Sequence, residues 1–123
     1  MFEIDIQKDF AAAHALRGYD GNCSEVHGHN WTVQVFVKTE TLDSIGIAVD
    51  FRRLKNKLSD ILDNLDHSFL NDITPFTEIN PTSENLAKYI YEQLSSQIND
   101  DSVRVDRVRV CESPGAGATY SCS

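Results

Sequence analysis

The sequence predicts an α+β domain, with two helices covering one face of a four-stranded antiparallel sheet in the order ββααββ. Apolar and polar residues alternate near both ends of the chain, the period of half-buried strands. Between those ends, two stretches place leucines and isoleucines three and four residues apart, the period of helices with one apolar face. Strands that segregate from helices along the chain favour α+β over an alternating α/β architecture.

Each element has its own signal. Phe2, Ile4 and Ile6 alternate with Glu3, Asp5 and Gln7, predicting the first strand. Trp31, Val33, Val35 and Val37 alternate with Thr32, Gln34, Phe36 and Lys38, predicting the second. Residues 11–30 are read as the connection, and long loops in compact domains are often functional. Asp50 is the expected N-cap of the first helix, which buries Phe51, Leu54, Leu58, Ile61, Leu62 and Leu65. Asn71 to Pro81 reads as a loop, punctuated by Pro75 and Pro81. The second helix starts near Thr82-Ser83 and buries Leu86, Ile90, Leu94 and Ile98. Val103 and Val105 then alternate in one phase and Val108 and Val110 in the other, so the third strand needs a bulge near Asp106-Arg107. A short fourth strand is expected from Thr119 to Cys122. The open edges of such a sheet invite pairing with another subunit, so a homo-oligomer is expected.

The 123 residues form one domain, residues 1–123, large enough for a core without disulfides. A formal net charge of -8 argues against nucleic acid or an anionic membrane as partner, since both want a basic face. No run approaches the ~20 apolar residues of a membrane span. The acidic, alternating N-terminus is unlike a signal peptide, so the expected location is cytoplasmic. Three cysteines, Cys23, Cys111 and Cys122, are an odd number in such a setting and argue against a disulfide framework.

Three of the four histidines, His14, His27 and His29, flank the long connection. His27-Gly28-His29 enters a strand, where a period of two sends both imidazoles to one side. Pairing of the first two strands would bring His14 beside them. Three imidazoles with no evident fourth ligand form the pattern of a catalytic zinc site with an open position. Cys23 lies four residues before His27, and the spacing fits two roles about equally. It could be a fourth ligand, making the site structural, or a base beside the metal with its thiolate favoured by the cation. Asp66-His67 is a candidate acid–base pair, in which the carboxylate orients the imidazole. Glu112 carries no role from its position alone.

Together these segments resemble the 6-pyruvoyl-tetrahydropterin synthase family, and most closely its 6-carboxytetrahydropterin synthases of queuosine (7-deazaguanine) biosynthesis. The resemblance rests on Phe10-Ala11-Ala12-Ala13-His14, on Cys23-x-x-x-His27-Gly28-His29-Asn30-Trp31 and on Val49-Asp50-Phe51. It continues through Leu65-Asp66-His67-x-x-Leu70-Asn71, Pro81-Thr82-Ser83-Glu84-Asn85-Leu86-Ala87 and Glu112-Ser113-Pro114. Pyruvoyl-forming members typically have a longer gap between the cysteine and the first histidine of the pair.

The resemblance implies a tunnelling fold, with subunits joined at sheet edges into a homohexamer of two stacked trimers. It implies conversion of 7,8-dihydroneopterin triphosphate to 6-carboxy-5,6,7,8-tetrahydropterin, acetaldehyde and triphosphate. By the same resemblance His14, His27 and His29 hold zinc, and Cys23 is the base. Asp66 and His67 complete a proton relay, and Glu112, with Thr82 and Ser83, binds the pterin. Lys8, Arg17 and Lys88 are candidate cations for the triphosphate. The competing readings are a pyruvoyl-forming synthase and a folate-branch lyase releasing 6-hydroxymethyl-dihydropterin, with Glu25 as its base. Outside pterin chemistry they are a zinc hydratase and a non-catalytic, zinc-stabilised oligomer with Cys23 as fourth ligand.

Overall fold

The computed structural model describes residues 1–18 and 25–122. Strand β1 (Phe2–His14) pairs antiparallel with β2 (His27–Thr39), and helix α1 (Phe51–Leu62) follows. A short strand β3 (Ser68–Phe69) and a 3-10 turn (Leu70–Asp72) precede helix α2 (Ser83–Ile98). The chain ends with β4 (Val103–Ser113) and β5 (Ala116–Ser121).

The sheet therefore has five strands rather than four, in the order β3-β1-β2-β4-β5, and the element order is ββαβαββ. The added strand lies parallel to β1, with Ala12 opposite Ser68 and Ala13 opposite Phe69. Two residues are too few to show a period, so β3 left no pattern to read. It exists because the chain leaving α1 turns sharply at His67, whose φ is 55°. The His67 N–H then donates to the Ala11 carbonyl at 2.6 Å.

β1 is longer than its first alternating residues suggested. Its inward phase continues through Ile6, Phe10, Ala12 and His14, so the connection to β2 is residues 15–26 rather than 11–30. The three consecutive alanines hide the alternation, because Ala sits on either face. In β4 the expected bulge is present: Phe36 pairs with Arg107 and Val37 with Val105, leaving Asp106 as the extra residue. Both valine phases thereby face the same core. β5 spans Ala116–Ser121, three residues earlier than expected at its start. A Cβ at Gly117 would lie 2.5 Å from Cys111 Sγ, so the close crossing of β4 and β5 requires a glycine there.

Both helices pack on one face of the sheet. Their buried residues are Leu54, Leu58, Ile61 and Leu62 on α1, and Leu86, Ala87, Ile90, Leu94 and Ile98 on α2. They meet Trp31, Val33, Val35 and Val37 of β2 and Val105, Val108 and Val110 of β4 in one core. Asp50 caps α1 by accepting from the Arg52 N–H at 2.8 Å. Thr82 caps α2 by accepting from the Asn85 N–H at 3.1 Å. Phe51, expected on the buried stripe, is 54% exposed. As the first residue after the cap it starts the helix beside Phe2 and Ile47, short of the core. Among the described residues no helix is long and apolar enough to cross a membrane.

Candidate metal and substrate site

The inward faces of β1 and β2 continue past the hydrophobic core to three imidazoles. Register places His14 directly opposite His27, and Ala12 opposite His29. Strand alternation puts His27, His29 and Trp31 on the same side, so the histidines gather at one end of the inner face. One nitrogen from each of the three lies within 4.8 Å of the others. Trp31 forms the floor, with its ring 4.8 Å from that of His14 and 5.3 Å from that of His29. Its Nε1–H donates to the Ala12 carbonyl at 3.1 Å, which fixes the indole.

Backbone carbonyls decide which imidazole nitrogens face inward. His14 Nδ1 donates to the Pro81 carbonyl at 2.7 Å, and His27 Nδ1 donates to the Glu25 carbonyl at 2.8 Å. In each neutral ring the other nitrogen is then a lone-pair acceptor. These two Nε2 atoms are 3.0 Å apart. Two acceptors cannot bond each other, so a shared electrophile is the arrangement that satisfies both. His29 Nε2 is also buried and without a hydrogen-bond partner. Burial, together with the neighbouring imidazoles, lowers the His14 pKa despite the opposing Pro81 hydrogen bond and the Glu112 charge. The ring is thus held in the neutral, ligating form. Three imidazoles with one nitrogen each within 4.8 Å of the others fit a zinc-type ion.

The residues that hold His14 in place carried other readings or none in the sequence: Arg17, a candidate cation for the triphosphate, commits its guanidinium to backbone carbonyls instead. Asn71 accepts from the Ala15 N–H at 3.0 Å and donates to the Ala15 carbonyl at 2.8 Å. Asn80 does the same for Arg17, at 2.9 Å in both directions. The two side-chain amides act as a substitute strand for the chain leaving β1. The Arg17 guanidinium donates to the Phe76 carbonyl at 2.8 Å, and to the carbonyls of Asn71 and Ile79 at 3.4 Å. Arg17 therefore organises the 71–80 loop, which turns the Pro81 carbonyl toward His14. The sequence signal was only that asparagines bracket a proline-punctuated loop.

Glu112 lies beside the imidazoles. Its Oε2 is 3.9 Å from both His14 Nε2 and His29 Nε2. It also lines a cleft of about 610 Å³ together with Arg17, Asn80, Thr82, Ser83 and Gly117. Glu112 thus links the imidazole cluster of His14, His27 and His29 to the cleft that Thr82 and Ser83 line. Thr82 Oγ1 accepts from the α2 N-terminus, which leaves its hydroxyl proton available to the cleft.

Asp66 and His67 are elsewhere. Asp66 Oδ1 accepts from the Ala11 N–H at 2.8 Å, and Oδ2 lies 3.0 Å from His67 Nδ1. The His67 side chain is 83% exposed, at a shallow hollow with Ala11, Ala13, Gly28 and Asn30. Ala12 and His29 also reach this hollow, but Ala11, Ala13, Gly28 and Asn30 alternate with the inward residues, so most of its lining belongs to the opposite face of the sheet. The Ala11 N–H, with a further contribution from His67, holds the Asp66 carboxyl below its ordinary range, outweighing desolvation. The pair is an oriented, solvent-facing imidazole–carboxylate couple. Cys23 lies outside the described residues.

The profile of the family described as 6-pyruvoyl tetrahydropterin synthase matches residues 3–122. The chain belongs to this family. It is 33% identical over 126 residues to a Bacillus subtilis protein named 6-carboxy-5,6,7,8-tetrahydropterin synthase, covering 97% of this chain and 84% of that one. A Haemophilus influenzae protein of the same name is 28% identical, covering 98% of this chain and 99% of its own. Among solved structures, the 6-pyruvoyl tetrahydropterin synthase of Caenorhabditis elegans superposes with a TM-score of 0.89 at 31% identity, covering 99% and 96% of the two chains. Members of the 6-pyruvoyl tetrahydropterin synthase family are enzymes with a lyase-type reaction on pterins. The imidazole cluster and the Glu112 cleft are the parts of this chain suited to that chemistry.

Proposed function

We propose that the chain is a zinc-dependent 6-carboxytetrahydropterin synthase. It would convert 7,8-dihydroneopterin triphosphate and one water to 6-carboxy-5,6,7,8-tetrahydropterin, acetaldehyde and triphosphate, supplying queuosine biosynthesis. The observation that carries this over a pyruvoyl-forming reaction is the three-residue gap between Cys23 and His27. Near-full-length similarity to relatives named for the carboxy product supports it.

His14, His27 and His29 hold the metal. When bound, zinc supplies Lewis acidity toward the vicinal hydroxyls of the substrate side chain. Glu112 accepts two parallel N–H bonds from the guanidine-like edge of the pterin, and Thr82 and Ser83 add hydrogen bonds across the same cleft. Cys23 accepts a carbon-bound proton, and His67, oriented by Asp66, delivers one.

His67 lies across the sheet from the imidazole cluster of its own chain, so the relay calls for a neighbouring copy. The homohexamer, two stacked trimers joined at sheet edges, answers that need. β1 pairs with β3 only at Ala12 and Ala13, which leaves its outer edge free from Phe2 to Phe10 among the described residues. The outer edge of β5 is likewise free among them, and both edges favour strand addition.

The test is incubation with 7,8-dihydroneopterin triphosphate, followed by mass analysis of the pterin and an acetaldehyde assay. The carboxy product with acetaldehyde supports the reading, and the pyruvoyl product alone refutes it. The competing folate-branch reading would use the Glu25 carboxylate, on the residue whose backbone carbonyl holds His27. It would be established if 6-hydroxymethyl-dihydropterin dominated and disappeared in Glu25→Ala.

A further inference from the structure

Glu112, beside the imidazole cluster, has no strand partner. In the β4–β5 ladder Cys111 pairs with Gly117 and Ser113 with Ala116, so Glu112 falls at the irregularity between them. On the other side, the β2–β4 ladder ends at the Thr32–Cys111 pair. Glu112 is therefore unpaired by strand register on both flanks. Its side chain, 37% exposed, stands between the imidazoles and the cleft lined by Thr82 and Ser83.

Its contacts with the imidazoles are electrostatically odd unless a cation is shared. His14 Nε2 presents a lone pair, because its Nδ1–H is committed to the Pro81 carbonyl. Yet the Glu112 carboxylate approaches that nitrogen and His29 Nε2 equally, at 3.9 Å. The His14 lone pair and the carboxylate repel each other, yet Oε2 stands at the rim of the imidazole cluster. Two donors of a tetrahedral zinc, each ~2.0–2.1 Å from it, lie about 3.3 Å apart. Oε2 is thus about half an ångström beyond that spacing from two of the three nitrogens and farther from His27 Nε2, so the carboxylate would have to move into the cluster to complete the set.

We propose that Glu112 is a reversible fourth ligand, closing the coordination position while the cleft is empty and releasing it when a ring with paired N–H donors arrives. The inference rests on the metal-and-pterin reading above and adds a switching role to the ring anchor. The carboxylate cannot serve the metal and the ring at once. Recognition of the ring and opening of the metal are then one event. A molecule with vicinal hydroxyls but no guanidine-like edge leaves the site closed. That is a specificity device, because it denies the metal to simple diols and phosphates.

The test uses the full-length protein loaded with Zn²⁺, or with Co²⁺ as a spectroscopic probe. Glu112→Gln keeps the shape at an exposed, unpaired position, and far-UV circular dichroism verifies its fold. In chelator competition the variant is expected to bind Zn²⁺ ~10–100-fold more weakly, with shifted visible bands for Co²⁺. Adding unsubstituted pterin, which has no side-chain hydroxyls, is expected to shift the Co²⁺ bands of the wild type as Glu112 leaves. Zn²⁺ affinity within about twofold of wild type would overturn the inference, being well short of the loss expected for a group that supports the metal. So would an unchanged Co²⁺ spectrum while pterin fluorescence reports binding. His27→Ala tests the underlying reading separately: wild-type Zn²⁺ binding there would sink the metal site itself, whereas its loss beside an unaffected Glu112→Gln would sink only the switch.

Discussion

His14 is buried on the helix-covered face of β1, whereas His67 stands in solvent over the opposite face, and the same side chain does two different physical jobs. His14 gives up one nitrogen to a backbone carbonyl and faces two other imidazoles with the second. Desolvation keeps it neutral, which suits a ligand and unsuits a proton carrier. His67 pairs with a carboxylate and keeps open access to water, the surroundings that the proposed relay calls for. A histidine's chemistry is thus assigned by its surroundings, and one β-sheet can separate the two roles by its thickness.

Substitutions on each side should break this contrast in different ways. The largest effect is expected for His14→Ala. Losing one of three ligands should lower Zn²⁺ affinity by about a thousandfold or more. Metal content measured after dialysis, alongside activity, checks this, and retention of a full equivalent would contradict the inner-face assignment.

His67→Ala should behave in the opposite way. Under the proposed relay its turnover falls ~10²–10⁴-fold, while Zn²⁺ content is unchanged. Stability should fall only modestly, since the side chain is exposed although the residue sits at positive φ. If metal and activity fall together, the two faces are not independent.

The smallest effect is a pH dependence at Asp66. The Ala11 N–H holds this carboxyl below the usual range in the folded chain. Its contribution is therefore fully present above the unfolded pKa of about 4 and is lost as pH falls through the lower folded value. The urea midpoint of wild type should lead that of Asp66→Asn at neutral pH, and the gap should close as acid protonates the carboxylate. A gap that widened in acid would mean that the charge opposes the fold.

The long apolar periods were readable in advance because packing decides them locally. Leu54, Leu58, Leu86, Ile90 and Leu94 are buried as their spacing implied, and the caps Asp50 and Thr82 are where side-chain oxygens meet free N–H groups. The phase change between Val105 and Val108 disclosed the bulge before any coordinates did. Phe51 misled because spacing marks a face of a helix but not where that face runs off the core. β3 was hidden because two residues carry no period.

By itself, the chain's residue order determined that two histidines share one side of a strand, since period-two alternation allows nothing else. It also pointed to a metal ion of the zinc type, because three imidazoles suit such an ion. Only the tertiary structure decided the rest. Strand register set His14 against His27, and the carbonyls of Pro81 and Glu25 chose the nitrogens that face inward. The turn at His67 sent that histidine to the other face, and the register slip at the end of β4 left Glu112 free beside the imidazoles. These features depend on residues far apart in sequence meeting at atomic distances, which no local period encodes.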